Sequence, residues 1–177
     1  YSTDGGSNWV GIAGPMPNDS HFDWIVPTTP SNQCLVKVED AGGFALDTSD
    51  TVFTIQPPTI TISFPNGGES FIQEDMIPIT WGHTGHVNDV VISYSTDGGS
   101  NWVGIAGPMP NTNQFDWIIP PTPSNQALVK VEDAGGFALD TSDTVFEILP
   151  PTITVTFPNG SEDFQANTQV PISWDYT

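Results

Sequence analysis

The feature that most constrains this chain is an internal repeat with a period of 93 residues. Residues 1–56 align with residues 94–149 without a gap, and 48 of the 56 positions are identical. The differences fall at positions 19, 20, 21, 26, 28, 34, 54 and 56. The period is too long for a solenoid unit or a propeller blade, and it is close to a β-sandwich of about 100 residues. The repeat therefore predicts copies of one sandwich-sized module.

A second pair of stretches, residues 57–84 and 150–177, keeps its apolar pattern, whereas many of its polar residues differ. The first begins PPTITISFPNGGESF and the second PPTITVTFPNGSEDF. Retained apolar and variable polar positions are expected for a buried core and an exposed surface. We therefore expect residues 1–56 to be the C-terminal part of a first module, 57–149 a complete module, and 150–177 the N-terminal strands of a following module.

The complete module contains seven stretches with the composition and alternation of β-strands, separated by turn residues. They are residues 59–64, 76–81, 89–95, 101–106, 115–120, 127–133 and 143–149. Seven such strands predict an all-β fold in which two sheets pack as a sandwich. The paired prolines at 57–58 and 150–151 predict stiff hinges where one module meets the next.

The charge of the chain excludes several classes of partner. There are 21 acidic residues against only two basic ones, Lys37 and Lys130, and the formal net charge is -19. Such a surface repels nucleic acids and anionic membranes and attracts cations. No run of about 18 apolar residues is present either. We therefore expect no nucleic-acid partner and no insertion into a membrane.

The residues offer little basis for catalysis. Cys34 is the only cysteine and its equivalent 93 residues on is Ala127, so we predict a small buried side chain. None of His21, His83 and His86 is repeated as a histidine at an equivalent position that the chain includes. No Gly-x-Ser-x-Gly motif is present. A pair of catalytic carboxylates stays open, because distance defines it. We expect that the chain is not an enzyme and has no catalytic residues.

The stretch STDGGSNW matches Ser-x-Asp-x-Gly-x-x-Trp and resembles the Asp-box of sialidase-type propellers. It occurs at Ser2, Asp4, Gly6 and Trp9, and again at Ser95, Asp97, Gly99 and Trp102. Propeller blades need copies about every 40 to 50 residues, and here the copies are 93 apart. We therefore predict a local folding device, in which Asp accepts backbone hydrogen bonds, Gly adopts positive φ and Trp covers the hairpin.

The order of the motifs PNGGE, STDGG-x-x-W and D-x-SD-x-x-F-x-I resembles Ig-like or fibronectin type III-like tandem repeats of secreted and surface-attached bacterial proteins. The resemblance covers the whole chain. It implies β-sandwich modules that serve as spacer, stalk, filament or adhesive repeats. It supplies no catalytic residues to carry over.

The acidic residues around VEDAGGFALDTSD are candidates for a calcium site. They are Glu39, Asp40, Asp47 and Asp50, repeated as Glu132, Asp133, Asp140 and Asp143. Oxygen ligands that converge from a loop suit Ca²⁺. The alternative is that these carboxylates are solvated and cap backbone N–H groups in turns. Calcium is therefore a candidate cofactor.

Tryptophan side chains suggest a second candidate site, because exposed rings bind sugars by stacking. Trp9 and Trp102 follow a tight turn and are predicted to be partly open, as glycan-binding candidates or as rings packed over the hairpin. The other four lie in strand-like stretches and are predicted to face a core; they are Trp24, Trp81, Trp117 and Trp174.

Four positions are candidates for glycosylation. Asn18 and Asn159 begin the sequons NDS and NGS. Thr51 and Thr144 lie in the sequence DTV, which resembles the Asp-Thr-aliphatic context of O-glycosylation in secreted proteins of Bacteroidetes. The alternative is that both threonines are unmodified residues at the start of a strand.

These observations favour a non-enzymatic structural repeat of a secreted or cell-surface filament, stalk or adhesin. The expected partners are neighbouring copies arranged head-to-tail, either within a longer array or by completion of one subunit with strands of another. The alternative is an array of carbohydrate-binding accessory modules of a secreted hydrolase, with cell-surface glycans as partners.

Overall fold

The structure, a computed structural model, describes residues 1–177 and consists of strands and loops without a helix. Fifteen strands form five sheets. The predicted all-β class is confirmed, and the arrangement is consistent with a β-sandwich. The chain divides into two compact units, which are residues 1–59 with 83–87, and residues 60–82 with 88–177. No helix has the length and hydrophobicity needed to cross a membrane.

The first unit contains four short strands, all in its C-terminal half. They are β1 (Ser31–Cys34), β2 (Lys37–Glu39), β3 (Leu46–Thr48) and β4 (Phe53–Ile55). β1 pairs with β4 and β2 pairs with β3, both antiparallel. Residues 1–30 form no strand, although Ser2 forms an isolated bridge with Leu35.

The second unit holds most or all of nine strands between residues 59 and 149. They are β5 (Thr59–Phe64), β6 (Ser70–Ile72), β7 (Met76–Thr84), β8 (Asp89–Ser95), β9 (Val103–Pro110), β10 (Gln114–Ile118), β11 (Ser124–Asp133), β12 (Leu139–Thr141) and β13 (Phe146–Leu149). One sheet has the order β10-β7-β5, and the other has the order β6-β13-β11-β8-β9 with β12 beside β11.

The core of the second unit lies between these two sheets. Alternate residues of β11 are buried, and Val129 and Val131 are fully inaccessible to solvent. The ring of Trp117 on β10 lies 5.4 Å from that of Tyr94 on β8 and 6.4 Å from that of Phe146 on β13, between ring centroids. The period-2 alternation of the sequence thus places apolar residues on the face where the sheets meet.

All seven predicted strands of residues 57–149 overlap an observed strand, and two further strands are present. The first, β6, follows the PNGGE turn and pairs in parallel with β13. The second, β12, pairs with β11. Each has three residues, which is too short for alternation to be recognised in the sequence.

Residues 150–177 contribute a separate antiparallel pair, β14 (Ile153–Phe157) and β15 (Ser173–Tyr176).

The prediction that four tryptophans face a core is confirmed for Trp81 and Trp117, which are 3% and 5% exposed. It is wrong for Trp174, which is 55% exposed, and Trp24 is only half-buried. Period-2 alternation identifies the apolar face of a strand, but burial requires a second sheet on that face.

Candidate functional site

The turn between β8 and β9 is held by the side chains of the repeated STDGGSNW motif. The Ser95 hydroxyl donates to Asp97 Oδ1 at 2.7 Å and accepts from the Gly99 N–H at 2.9 Å. Asp97 also accepts from the backbone N–H of Asn101 at 2.8 Å and from its side-chain amide at 2.6 Å. Gly98 and Gly99 have φ values of 67° and 88°, which favour glycine.

The first unit forms the same turn with the same partners. Ser2 donates to Asp4 at 2.8 Å, and Asp4 accepts from the Asn8 backbone N–H at 2.8 Å and from its side chain at 2.6 Å. The Trp9 ring lies against Gly6, where an added Cβ would be 3.6 Å from Cζ2. The predicted folding device is confirmed in both units. The role of Asn8 was not predicted, although an amide four residues after the Asp was a usable signal.

These hydrogen bonds stabilise the ionised form of both motif carboxylates. The pKa of Asp97 is lowered from 3.8 to about 2, first by the side-chain amide of Asn101, then by its backbone N–H and by the Ser95 hydroxyl. Asn8 and Ser2 lower the pKa of Asp4 to about 2 in the same way. Donors that point at a carboxylate favour its charged form.

The two lysines of the chain occupy equivalent positions over the motif tryptophans. Lys130 Nζ lies 4.8 Å from the centroid of the Trp102 ring and 2.6 Å from Glu132 Oε2. Lys37 lies 5.1 Å from the Trp9 ring and 2.6 Å from Glu39. Trp9 is 36% exposed and Trp102 is half-buried, so the predicted partial exposure is confirmed. The ammonium groups above the rings were not predicted.

The acidic residues of the second unit, considered as calcium ligands, largely accept hydrogen bonds from the chain itself. Asp133 Oδ2 accepts from the Phe137 N–H at 3.2 Å, and Asp140 Oδ2 accepts from the Ile62 N–H at 2.7 Å. Asp143 Oδ2 accepts from the side-chain amide of Asn66 at 2.8 Å. The Asp133 contact caps a backbone N–H within a turn, as the alternative interpretation predicts. The Asp140 and Asp143 contacts reach β5 and the turn after it, which neither interpretation predicted.

The equivalent acidic residues of the first unit are exposed. Asp40 Oδ2 accepts from the N–H groups of Gly42 and Phe44 at 3.1 and 3.3 Å. Asp47 and Asp50 are exposed to solvent. In neither unit do three His, Cys, Asp or Glu side chains converge in a group that could hold a metal ion. Calcium binding stays a prediction.

The strand β5 of the second unit is fixed by three polar residues that follow β12 or lie in it. Besides the bond from Ile62 to Asp140, the Ser142 hydroxyl donates to the Pro65 carbonyl at 2.9 Å. The Asp143 N–H donates to the Asn66 side chain at 2.8 Å. These contacts hold both the strand and the PNGG turn that follows it.

In the first unit the equivalent residues line an open groove of about 300 Å³. Its lining residues are Val36, Val38, Asp47, Thr48, Ser49 and Asp50. A second groove of about 390 Å³ is lined by residues that include Tyr1, Ile12 and Trp24. Trp24 is equivalent to Trp117 on β10, which in the second unit pairs with β7. Both grooves of the first unit therefore correspond to the surface that β5 and β7 cover in the second unit.

The remaining candidates are scattered over the surface, apart from Cys34. Asn18, Asn159, Thr51 and Thr144 are all exposed, and their glycosylation stays a prediction. Cys34 is fully buried, as predicted, and its thiol donates to the Ser31 carbonyl at 3.4 Å. His21 is exposed, and its Nε2 lies 3.0 Å from Asp23 Oδ1.

No protein-family model and no curated protein sequence matches the chain.

Proposed function

We propose that the chain is a non-enzymatic structural repeat of an extracellular filament, stalk or adhesin, built from tandem Ig-like or fibronectin type III-like sandwiches. The observation that carries the proposal is the combination of a packed module with sequence repetition. Residues 57–149 bury Trp81, Trp117 and Phe146 in a core between two sheets, and the chain repeats 48 of 56 positions of that module. A repeated packed module is how spacer and stalk proteins gain length.

The charge supports a role on a hydrated surface. The formal net charge is -19, and the only two basic residues are lysines, each paired with a glutamate. A strongly negative surface keeps modules soluble and separate from nucleic acid and anionic lipid. The proposed location is the cell surface or the extracellular medium, with neighbouring copies of the module as partners.

Antibodies raised against residues 57–149 test this location on cells that produce the chain natively. Immunogold electron microscopy is expected to label intact cells, along threads or stalks outside the envelope. An antibody against a cytoplasmic protein is the control and should label only permeabilised cells. Labelling by the module antibody that requires permeabilisation would contradict the proposal.

Glycan binding is the second candidate, because the Trp9 ring is 36% exposed. Against it, a lysine ammonium occupies the space over each motif ring, where a sugar would stack. Affinity electrophoresis in gels containing cell-wall polysaccharides, with Trp9→Ala and Trp102→Ala as variants, tests it. Retardation of the native chain that both variants lose would favour the carbohydrate-binding function.

Calcium binding and glycosylation, the two further predictions for this chain, have direct tests. Calcium bound by the acidic loops would raise the Tm of the chain relative to a chelator-treated sample. Glycosylation at Asn18, Asn159, Thr51 or Thr144 would raise the mass of the proteolytic peptides that contain these residues above the mass calculated from their sequence.

A further inference from the structure

The PNGG turn that follows β5, residues 65–68, contains an asparagine directly before a glycine, Asn66–Gly67. This dipeptide is chemically labile, because glycine has no Cβ to hinder attack by its own nitrogen on the asparagine side chain. The Gly67 nitrogen forms a bond to Asn66 Cγ, and Nδ2 leaves as ammonia with the proton that the Gly67 nitrogen loses. Water then opens the resulting succinimide to aspartate or isoaspartate, so water is the only other reactant.

Both ends of the Asn66 side-chain amide are held by one residue of a distant segment. Nδ2 donates to Asp143 Oδ2 at 2.8 Å, and Oδ1 accepts from the Asp143 backbone N–H at 2.8 Å. The two residues are 77 positions apart in the sequence. Cγ lies between the two anchored atoms, so the amide cannot turn about its side-chain bonds unless the turn separates from Asp143.

The backbone around the attacking nitrogen is fixed as well. Glu69 accepts from the N–H groups of Asn66 and Gly67 at 2.9 and 2.7 Å. The Gly68 N–H donates to the Val145 carbonyl at 2.9 Å. Succinimide closure rotates the backbone of Asn66 and removes the Gly67 proton, so it requires that the bonds to Glu69 break first.

The turn also has no space in which to shift. A Cβ at Gly67 would overlap Thr144 Oγ1 and lie 2.7 Å from the Thr144 carbonyl oxygen, so the turn is in direct contact with the segment after β12. The Thr144 N–H donates to the Asn66 carbonyl at 3.3 Å. The peptide that would close the ring is therefore held on both sides while β5 is packed.

This contact lies at the surface of the second unit, where local opening is easiest. Asn66 and Gly67 are half-buried, and Asp143 and Thr144 are exposed, so water reaches the turn. Contacts at the surface open at a lower free energy than the core of a domain. Each opening releases the amide and the Gly67 nitrogen together.

The product of the reaction does not fit the packed turn. A carboxylate at position 66 has no N–H to donate, so it would place a second negative charge beside Asp143, where a hydrogen bond of 2.8 Å now lies. Like charges at this distance repel. Isoaspartate also lengthens the main chain, and this separates the two N–H groups that Glu69 accepts. Both products therefore favour the open state in which they form.

We propose that Asn66 is a site of spontaneous deamidation, which Asp143 suppresses while the PNGG turn is packed, and that the product carboxylate prevents the turn from closing again. Each module is modified at most once at this site and the hydrolysis does not reverse, so the modified fraction records how often the turn has opened. The inference concerns the single module and is independent of where the chain is located.

Peptide mass spectrometry of the 177-residue protein after incubation at neutral pH tests the suppression. The fraction of Asn66 converted is measured in peptic peptides over time, for the folded chain and for the same chain unfolded in urea. The unfolded chain is expected to convert at least about 10-fold faster. Asp143→Ala removes a hydrogen bond to a charged group, so the folded variant is expected to convert at least about 10-fold faster than the folded native chain.

Two further variants control for the loss of an aspartate. Asp143→Asn retains an acceptor oxygen for the Asn66 amide and is expected to restore a rate close to that of the native chain. Asp116→Ala removes an exposed aspartate of the same unit, whose carboxylate accepts from Gln114 Nε2 at 3.2 Å, and should leave the rate unchanged. A folded native chain that converts as fast as the unfolded one would overturn the proposal, as would a folded Asp143→Ala variant that converts as slowly as the native chain.

The effect of the product is tested with Asn66→Asp, which installs the carboxylate directly. Hydrogen exchange of peptides that contain Ile62 is expected to be faster than in the native chain, because β5 detaches more often. Asn125→Asp adds the same charge at an exposed asparagine of β11 and should leave this exchange unchanged. Equal exchange in Asn66→Asp and the native chain would show that the turn closes over the product, against the second half of the proposal.

Discussion

Residues 1–56 of the first unit and residues 94–149 of the second have almost the same sequence in different surroundings. Their comparison separates what the sequence determines locally from what packing determines. The STDGGSNW turn has the same hydrogen bonds in both units, with distances that differ by at most 0.1 Å. The strands do not behave in this way. Residues 114–118 form β10 against β7, whereas the equivalent residues 21–25 form no strand.

The difference shows that the turn is encoded by its own side chains, whereas the strands depend on a partner. Backbone N–H and C=O groups of a strand need a neighbour to pair with. The turn satisfies its donors with Ser, Asp and Asn side chains of the same eight residues. Four pairs of substitutions, studied at concentrations where the chain is monomeric, test this difference between the units.

The largest contrast is expected from Phe146→Ala and Phe53→Ala, which remove equivalent rings. Phe146 is fully buried, so its loss should destabilise the second unit by about 3–5 kcal/mol. Phe53 is half-buried, and its loss should cost the first unit about 1–2 kcal/mol. Hydrogen exchange in urea, measured on peptides that contain Cys34 or Ala127, distinguishes the units. Equal losses would show that the first unit has a core of its own.

A smaller contrast is expected from Val131→Ala and Val38→Ala. Val131 is fully buried and Val38 is 72% exposed, so the first change should cost about 2 kcal/mol and the second less than about 0.5 kcal/mol. Urea midpoints of the same two peptides provide the measurement. A large effect at Val38 would mean that the groove of the first unit is covered in solution.

The third pair, Gly67→Ala and Gly160→Ala, compares β5 and its turn with the C-terminal hairpin. Both glycines have φ near 120°, so the backbone strain is shared. A Cβ at Gly67 would overlap Thr144 Oγ1 and lie 2.7 Å from the Thr144 carbonyl oxygen, whereas one at Gly160 meets nothing within 4 Å. Thermal unfolding should show that Gly67→Ala lowers the free energy of unfolding by about 1 kcal/mol more than Gly160→Ala does. Equal losses would show that backbone strain alone accounts for the effect.

The smallest contrast is expected from Asp97→Asn and Asp4→Asn, since the turn is the same in both units. The folded pKa of about 2 is below the ordinary 3.8. Each carboxylate therefore adds stability that is present above about pH 4 and is lost as the pH falls through 2. The free energy of unfolding, measured in urea between pH 5 and pH 2, should therefore decline more steeply in the native chain than in the double variant. A variant that declines as steeply would exclude these groups as its source.

The sequence was sufficient for features that are local and insufficient for those that depend on a distant partner. It predicted the strands of residues 57–149 because their alternation is internal to each segment. It placed Trp174 in a core because that strand has the same pattern as the strand of Trp81, and pattern does not reveal whether a second sheet covers it. Of the candidate site, the Asp-box turn was foreseen from spacing. The open groove was not, because it is defined by β5 and β7 in a different part of the chain.

The two lysines, each held between an indole ring and a glutamate, are also the only places where trypsin can cleave this chain. Their side chains are 30% and 19% exposed, and both lie in paired strands. A protease must bind an extended, detached segment, so cleavage requires that these strands open first. Digestion of the folded chain should therefore be slow and give at most three fragments. Trypsin-like proteases therefore have only two sites in this chain, and both are protected while the strands stay paired.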